Sequence, residues 1–565
     1  MSIENKDFAV VKNDEVGVHL DSSPSPPPES VTKQTFFHSI VDSFRQAPAN
    51  ASYQKSISIN ELRIMSLSTG LGTGLLVAAG QKLKNSGPAG LLIAYTVVGL
   101  FMMVPTIKSL SELSVAYSGM PGGFQSYFGK FIDESLAFAL GWNYAIQWMC
   151  VISLELVVAT MTINYWNRTI NPDIFVLIFL GFVIFINFCG VRGYAYAEMF
   201  MNSIKILMLT GFCIFGLVIV VGGGPNGWVG GRYYHDPGAF TNFKGIASVF
   251  VAGAFSLGGS EFISVSAAET KQPRRSLRSA SKLIYVKVVF LFLGSLVFVG
   301  LMVPYTHPNL VGSGSSSSTS PYVLSTIIHG VPALGHVINA VILVSVTSVA
   351  SAAMYSSQRL IQSLAHQGLA PKWLDYVDRK GRPARAFLIC IIASLLAFIA
   401  AYEKQEDVFT WLLSISALSF IFAWMFICVC HIRFRAALKY RGIEVSSLGY
   451  VSTTGVWGSY LSVAINIFIL GCQFWVALWP IGGDGKPNAT SFFQNYLAAP
   501  CFLVLYVGHK VWTRNWKLFK RAQDIDVDTD RVIYDKEILE LEIIEDREKY
   551  KRAPIWRKIC MKCLD

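Results

Sequence analysis

Charge is scarce in this chain. Asp, Glu, Lys and Arg make up 15% of its 565 residues, while 53% are hydrophobic. Ordinary soluble domains carry about 25% charged residues, so a water-facing surface of usual composition is excluded. The marks of several other classes are missing as well. No G-x-x-x-x-G-K-S/T stretch occurs, and the glycine-rich "GGGPNGWVGG" (Gly222 to Gly231) lacks the lysine that a phosphate loop needs. No acidic cluster fit for a divalent cation appears, and no Ser or Cys has a credible His partner, so neither a metal site nor an enzyme is expected. The ten cysteines do not read as a disulfide framework. Eight fall in or beside apolar runs, where Cys behaves as a small hydrophobe. Cys428, Cys430 and His431 are too close together for a zinc ligand set. A charged start followed by a short apolar stretch and a cleavage site is absent, so no signal peptide is expected.

What is present is apolar sequence in blocks, each about 20 residues long, enough to cross a bilayer as a helix. They lie near 63–83, 90–112, 136–165, 173–191, 198–222, 246–267, 283–303, 335–356, 386–402, 409–430, 458–480 and 490–512. The expected fold is an all-α integral membrane protein with about twelve transmembrane helices. Trp142, Trp148, Trp166, Trp228, Trp475 and Trp479 sit near block ends or between blocks, as interfacial anchors or as packing between helices.

The net charge of +11 does not point to nucleic acid. The positive residues gather in alternate connections: Lys271 to Lys282, Lys372 to Arg385, Arg433 to Arg441 and Lys510 to Arg521. The connections between them are nearly free of Lys and Arg. That alternation is the positive-inside pattern, and it places both termini in the cytoplasm. Residues 1–60 contain the proline–serine run "SPSPPPES" (Ser23 to Ser30) and read as a disordered cytosolic tail; 61–513 form the transporter domain; 514–565 are a charge-rich cytosolic tail whose "DKEILELEIIEDREKYKR" has the spacing of a surface helix. Lys6, Lys12 and Lys33 are open to ubiquitin, so a ubiquitin ligase or trafficking factor is an expected tail partner. Cys560 and Cys563 read as plain thiols rather than lipid anchors. Of the sequons Asn50, Asn167 and Asn488, the last two fall outside the membrane and are the possible glycosylation sites.

Two blocks are interrupted by glycine. In the first, "STGLGTGLLVAAG" (Ser68 to Gly80) carries Gly70, Gly72 and Gly74 mid-block; in the sixth, "AFSLGGSEF" (Ala254 to Phe262) carries Gly258 and Gly259. Glycine costs about 1 kcal/mol against alanine in a helix interior, so close helix packing or a purposeful break must account for it. Five helices apart, the two blocks cross in opposite directions, as in an inverted repeat of five plus five helices with two extra. Such a pair points to a transporter site. A broken helix in lipid exposes N–H and C=O groups, and an α-amino acid satisfies them: its carboxylate accepts from the N–H groups and its ammonium donates to the carbonyls. The expected substrate-binding set is Thr69, Gly70, Leu71, Gly72, Thr73, Gly74, Phe255, Ser256, Gly258, Gly259 and Ser260, with Ser351 and Ser416 shaping side-chain space.

Three ionisable residues lie within blocks: Glu155, Lys205 and Glu261. Such groups are functional candidates by default, against a structural ion pair for Glu155 and snorkelling for Lys205. Glu261 is expected to line the cavity. Desolvation acts against the charged form of each, so they are candidates for carrying a proton, which makes the proton the expected coupling ion and no other cofactor necessary. Composition leaves sodium open.

These stretches, with "SGPAGLLIAY", "FIDESLAFALGWNYAIQW", "LELVVATMTINYW", "GVRGYAYAE", "CHIRFRAAL" and "GHKVWTRNWKLF", resemble the fungal amino-acid permeases of the amino acid–polyamine–organocation superfamily over about residues 55–555, near the general amino-acid permease group. The resemblance implies the inverted-repeat (LeuT-like) fold with substrate held at the broken first and sixth helices, and proton-coupled amino-acid uptake at the plasma membrane. It also gives Glu155 the place of a third-helix glutamate linked to proton coupling, and Lys205 that of a fifth-helix lysine that replaces sodium in bacterial members. The chain departs from the family at Ser68-Thr69, Leu76, Ala350-Ser351 and Ser416-Ala417, and it lacks the family's Trp-Cys ending. The side-chain specificity is therefore open. A nutrient sensor that binds without transporting, and a permease for an amino-acid derivative or polyamine, are the alternatives.

Overall fold

The computed structural model describes residues 58–554, apart from 121, 168, 226, 266–269, 271, 311–319, 380, 402–404 and scattered positions between 535 and 549. The readings of Lys6, Lys12, Lys33, Asn50, Cys560 and Cys563 lie outside the described residues, as does the expected disordered tail 1–60 except for its last three residues, which instead open the first helix because Ser58 caps it. Among those described, every regular element is a helix. Eight are long and apolar enough to cross a bilayer, nine when Ala489–Tyr496 and Ala498–Thr513, bent by 68° at their junction, count as one crossing. The shorter apolar helices Pro172–Phe188 and Ala384–Phe398, and the broken first segment, complete the twelve expected.

Chain chemistry explains where the first helix begins, breaks and ends. Ser58 and Glu61 form a capping box: Ser58 Oγ accepts from the Glu61 amide at 3.3 Å and Glu61 Oε2 accepts from the Ser58 amide at 2.7 Å. Ile59–Ser68 follows, then an unwound stretch, then the single turn Thr73–Leu76. The next helical run, Ala78–Ala116, is interrupted at Gly87 (φ 75°), ahead of Pro88, whose missing N–H cannot continue the ladder. That interruption separates the first crossing from the second.

Burial sorts the helices. The most apolar window of Phe243–Val265 is 94% buried and that of Glu134–Ile163 78%, against 33% for Gly190–Val220 and Gly455–Leu478. The sixth and third helices are thus central. The fifth and eleventh turn apolar faces outward, with Phe200, Leu207, Ile214 and Phe468 exposed, a surface suited to lipid rather than water.

The region after Thr513, expected as a charge-rich cytosolic tail, is not separate from the bundle. Its first part folds back on the bundle. The Lys520 amide donates to Ile132 O (3.0 Å), the Val532 amide to Ala116 O (2.8 Å) and the Tyr117 hydroxyl to Val527 O (2.9 Å). Ile525 and Val527 are fully buried. Ile525 and Val527 alternate with Asp524, Asp526 and Asp528, a strand-like spacing that names no partner, so the docking itself is not legible in the sequence. The expected surface helix is helical at its described positions between Glu537 and Arg552.

Candidate functional site

The two glycine interruptions meet. The first helix unwinds across Thr69–Gly72 and the sixth across Gly258–Glu261, between Phe243–Leu257 and Phe262–Val265. Gly70 and Gly259 share φ 84°, a conformation that L side chains rarely adopt. A Cβ on Gly70 would stand 2.6 Å from Ser256 O and 2.8 Å from Gly258 O, and one on Gly74 2.5 Å from Ser256 Oγ. The glycines therefore let one unwound backbone lie directly on the other.

A cavity opens beside this contact. Its walls include Thr69, Gly70, Gly72, Thr73 and Gly74 from the first helix and Phe255 and Gly258 from the sixth. Trp148 and Glu155 come from the third helix, Glu198 and Lys205 from the fifth, Val349 from the eighth and Phe420 from the tenth. Glu155 Oε2 accepts from Thr73 Oγ1 at 2.6 Å. Two buried groups on this wall have no hydrogen-bond partner among the described residues: Glu155 Oε1, an acceptor, and Trp148 Nε1, a donor. Buried polar atoms are rarely left so, and both suit a polar guest.

Other expected site residues are placed elsewhere. The Leu71 side chain is fully buried and its carbonyl accepts from Ser345 Oγ at 2.5 Å. Ser256 Oγ bonds Ala252 O (2.7 Å) and the Tyr95 hydroxyl (2.8 Å), holding the sixth helix to the second. Gly259 packs on Thr69, and Ser260 donates to Leu257 O (2.8 Å) while receiving Lys287 Nζ (2.7 Å). Ser351 Oγ accepts from Asn187 Nδ2 (3.2 Å), and Ser416 is buried without a partner among the described residues and off the cavity wall. Glu261 does not line the wall as expected; its oxygens instead accept from the Tyr144 hydroxyl, Trp424 Nε1 (3.0 Å) and the Gly259 amide (3.2 Å). It braces the break. Asn167 and Asn488 are both exposed.

Lys205 does not snorkel. It is 1% exposed, and its ammonium donates to Ser348 Oγ at 2.7 Å. Sequence reasoning misses Glu198 and Lys287, and it gives Trp148 no part in the site. Trp148, expected as an anchor or a packing residue, is buried on the cavity wall. Glu198 stands at the very edge of the apolar block that opens at 198, but the helix starts at Gly190. A signal for it exists: seven residues before Lys205, it shares that helix face.

Interrupted helices in a membrane-crossing bundle, a cavity walled by the interruptions and buried ionisable groups on that wall are the features of a membrane transporter. The sequence profile of the amino acid permease family matches residues 61–522, and the chain belongs to that family. It is 47% identical over 516 residues to the general amino acid permease AGP1 of Saccharomyces cerevisiae, covering 90% of this chain and 81% of the relative. From the same organism it is 45% identical to the high-affinity glutamine permease (92% and 80% covered) and 42% identical to the valine amino-acid permease (92% and 91%). The protein is thus a multi-pass membrane permease of the amino-acid class, and a transporter rather than an enzyme.

Proposed function

We propose that this permease takes up amino acids across the plasma membrane as a proton symporter, by alternating access, with both termini cytoplasmic. The observation that carries the reading is the cavity between the two helix breaks, with the unpartnered Glu155 Oε1 on its wall. The α-carboxylate and ammonium of the substrate meet backbone polar groups freed at Thr69–Gly72 and Gly258, while Phe255, Trp148, Val349 and Phe420 bound its side chain. Glu155 carries the proton, and Thr73, bonded to it, couples its protonation to the first-helix break. The relatives' names, covering general, glutamine and valine permeases, support an amino-acid cargo without choosing one.

The test is uptake of labelled amino acids in cells lacking their own permeases, at acidic and neutral pH, with and without a protonophore. Accumulation that is strong in acid and lost with the protonophore is expected, and Glu155→Gln at the cell surface should lose uphill accumulation. Accumulation indifferent to the protonophore refutes proton coupling.

A further inference from the structure

Lys205 is linked through the Ser348 hydroxyl to a second carboxylate, Glu198. We propose that the coupling proton is held by the set Glu155, Lys205 and Glu198, and that Glu198 is the carboxylate from which it leaves toward the cytoplasm. The inference rests on proton coupling itself.

Charge is the first argument. Glu155, Glu198 and Lys205 are 1%, 4% and 1% exposed, and the lysine lies within electrostatic reach of both carboxylates. Groups packed around Glu198 from other elements are neutral: Ser348 and Tyr355 of the eighth helix and Thr69 of the first, with Tyr194 and Asn202 on its own helix. Beyond them, Arg359 of the eighth helix places a cation over the Tyr355 ring, 3.8 Å from its centroid. Lys287 of the seventh helix also acts on Lys205, but Glu261 stands against it as a counter-charge at the sixth-helix break. Two carboxylates against one ammonium leave a net charge of −1 in a buried place. Uncompensated buried charge is expensive. One proton removes it, and a second would leave an excess of the other sign. The set is therefore built for one proton per cycle.

Position is the second argument. A second cavity adjoins the first and shares Thr69, Glu198 and Ala352 with it. Glu155 and Lys205 line only the first; Glu198 alone of the three also lines the second. The second cavity is walled by Leu62, Met65, Tyr194, Ile263 and Tyr355. It lies toward the start of the first helix, where Arg63 Nε donates to Ser279 Oγ (2.6 Å) in the basic stretch that opens the seventh. By the positive-inside pattern, that end faces the cytoplasm. The stacked rings of Tyr194 and Tyr355, 3.9 Å between centroids, form part of its wall.

Connection is the third. Lys205 Nζ donates to Ser348 Oγ at 2.7 Å, and Ser348 Oγ stands 3.0 Å from each Glu198 oxygen, with Asn202 Nδ2 at 3.1 Å from Oε1. The Ser348 hydroxyl thus accepts from the ammonium and donates to the carboxylate. As it passes its proton to Glu198 it takes one from Lys205. Across the first cavity, which both residues line, the proton of Glu155 then restores the ammonium. The sum is one proton moved from Glu155 to Glu198, with Lys205 and Ser348 unchanged.

The competing role for Glu198 is a tether between the fifth and eighth helices. Two variants of the full-length protein in proteoliposomes separate the roles. Glu198→Gln keeps acceptor and donor atoms but loses the charge; Glu198→Asp keeps the charge. The reading is the charge moved per zwitterionic amino acid, from the accumulation ratio at set membrane potentials and pH. Wild type should move one charge. Glu198→Gln should move none and respond flatly to pH, and Glu198→Asp should stay coupled with a displaced pH profile. One charge per substrate in Glu198→Gln overturns the proposal. So does equal loss of coupling in both variants, which assigns a tether. If Glu198→Gln does not reach the bilayer, an undisplaced profile in Glu198→Asp overturns it. Wild type that moves no charge fails the underlying symport reading instead, a different result.

Discussion

Two buried ionic clusters use the same ingredients to opposite ends. At one end of the bundle, Glu112 is fully buried with both oxygens engaged. Oε1 meets His431 Nε2 (3.1 Å) and Arg435 Nε (2.6 Å); Oε2 accepts from Arg435 Nη2 (2.8 Å) and the Ser452 amide (2.7 Å). His431 Nδ1 reaches Ser459 Oγ (2.8 Å), which pairs with Ser109 Oγ (2.8 Å). Carboxylate and guanidinium balance, and neither of the two cavities touches them. This cluster ties the second, tenth and eleventh helices. At the centre, Glu155, Lys205 and Glu198 are unbalanced by one charge, with an oxygen unpartnered and a cavity beside them. Saturated valences make a fastener; an open valence next to empty space leaves something for a proton and substrate to complete.

The comparison breaks most sharply at Arg435. Removing one partner of a buried ion pair costs about 3–5 kcal/mol, so Arg435→Ala should sharply lower the thermal midpoint of purified protein and its surface level. A midpoint equal to wild type would deny the fastener. At the centre, Ser348→Ala leaves both ions in place and removes only the hydroxyl between them, so it should cost less, about 1.5–3 kcal/mol for a hydrogen bond to a charged group. It should instead alter the pH dependence of uptake, read from initial rates across a pH series. If the two variants exchange phenotypes, the contrast between the clusters fails.

The smallest effect belongs to the docked segment after Thr513. The Arg441–Asp528 pair (2.6 Å) is 32% and 56% exposed, so Asp528→Ala should change stability by about 0–1 kcal/mol. Beside it, the Asp526 carboxyl is held down from 3.8 to about 2, chiefly by the Thr529 hydroxyl and amide. A lowered folded value means the contribution is present above the unfolded value of 3.8 and is lost progressively as pH falls from there through about 2. Hydrogen-exchange protection factors in residues 520–534 should therefore stay constant under mild acidification, while central-cluster function changes. Release of the segment in mild acid would undo this separation.

Part of the molecule is readable in the sequence because it depends on single residues or local periods. Apolar runs long enough to span a bilayer define the class, and glycine in two of them marks the breaks, since no other residue tolerates φ 84° so cheaply. Glu155 and Lys205 are visible because charge in an apolar run is costly anywhere. The span edges are less legible: the fifth helix begins eight residues before its apolar block, among two tyrosines and an arginine, and that hides Glu198.

Partnership was decided by tertiary structure alone. Glu112, Glu155, Glu198 and Glu261 are alike as letters in or near apolar helices. Glu112 finds a guanidinium, Glu261 a tyrosine and a tryptophan, Glu198 a serine shared with Lys205, and Glu155 keeps one oxygen free. Those partners come from helices up to hundreds of residues away in sequence, as Arg435 is from Glu112, so no local pattern encodes them. The sequence determined that charges would be buried and helices broken, because composition sets the cost of each. Which charges are satisfied and which remain open was decided by packing, because an ion's energy depends on what surrounds it.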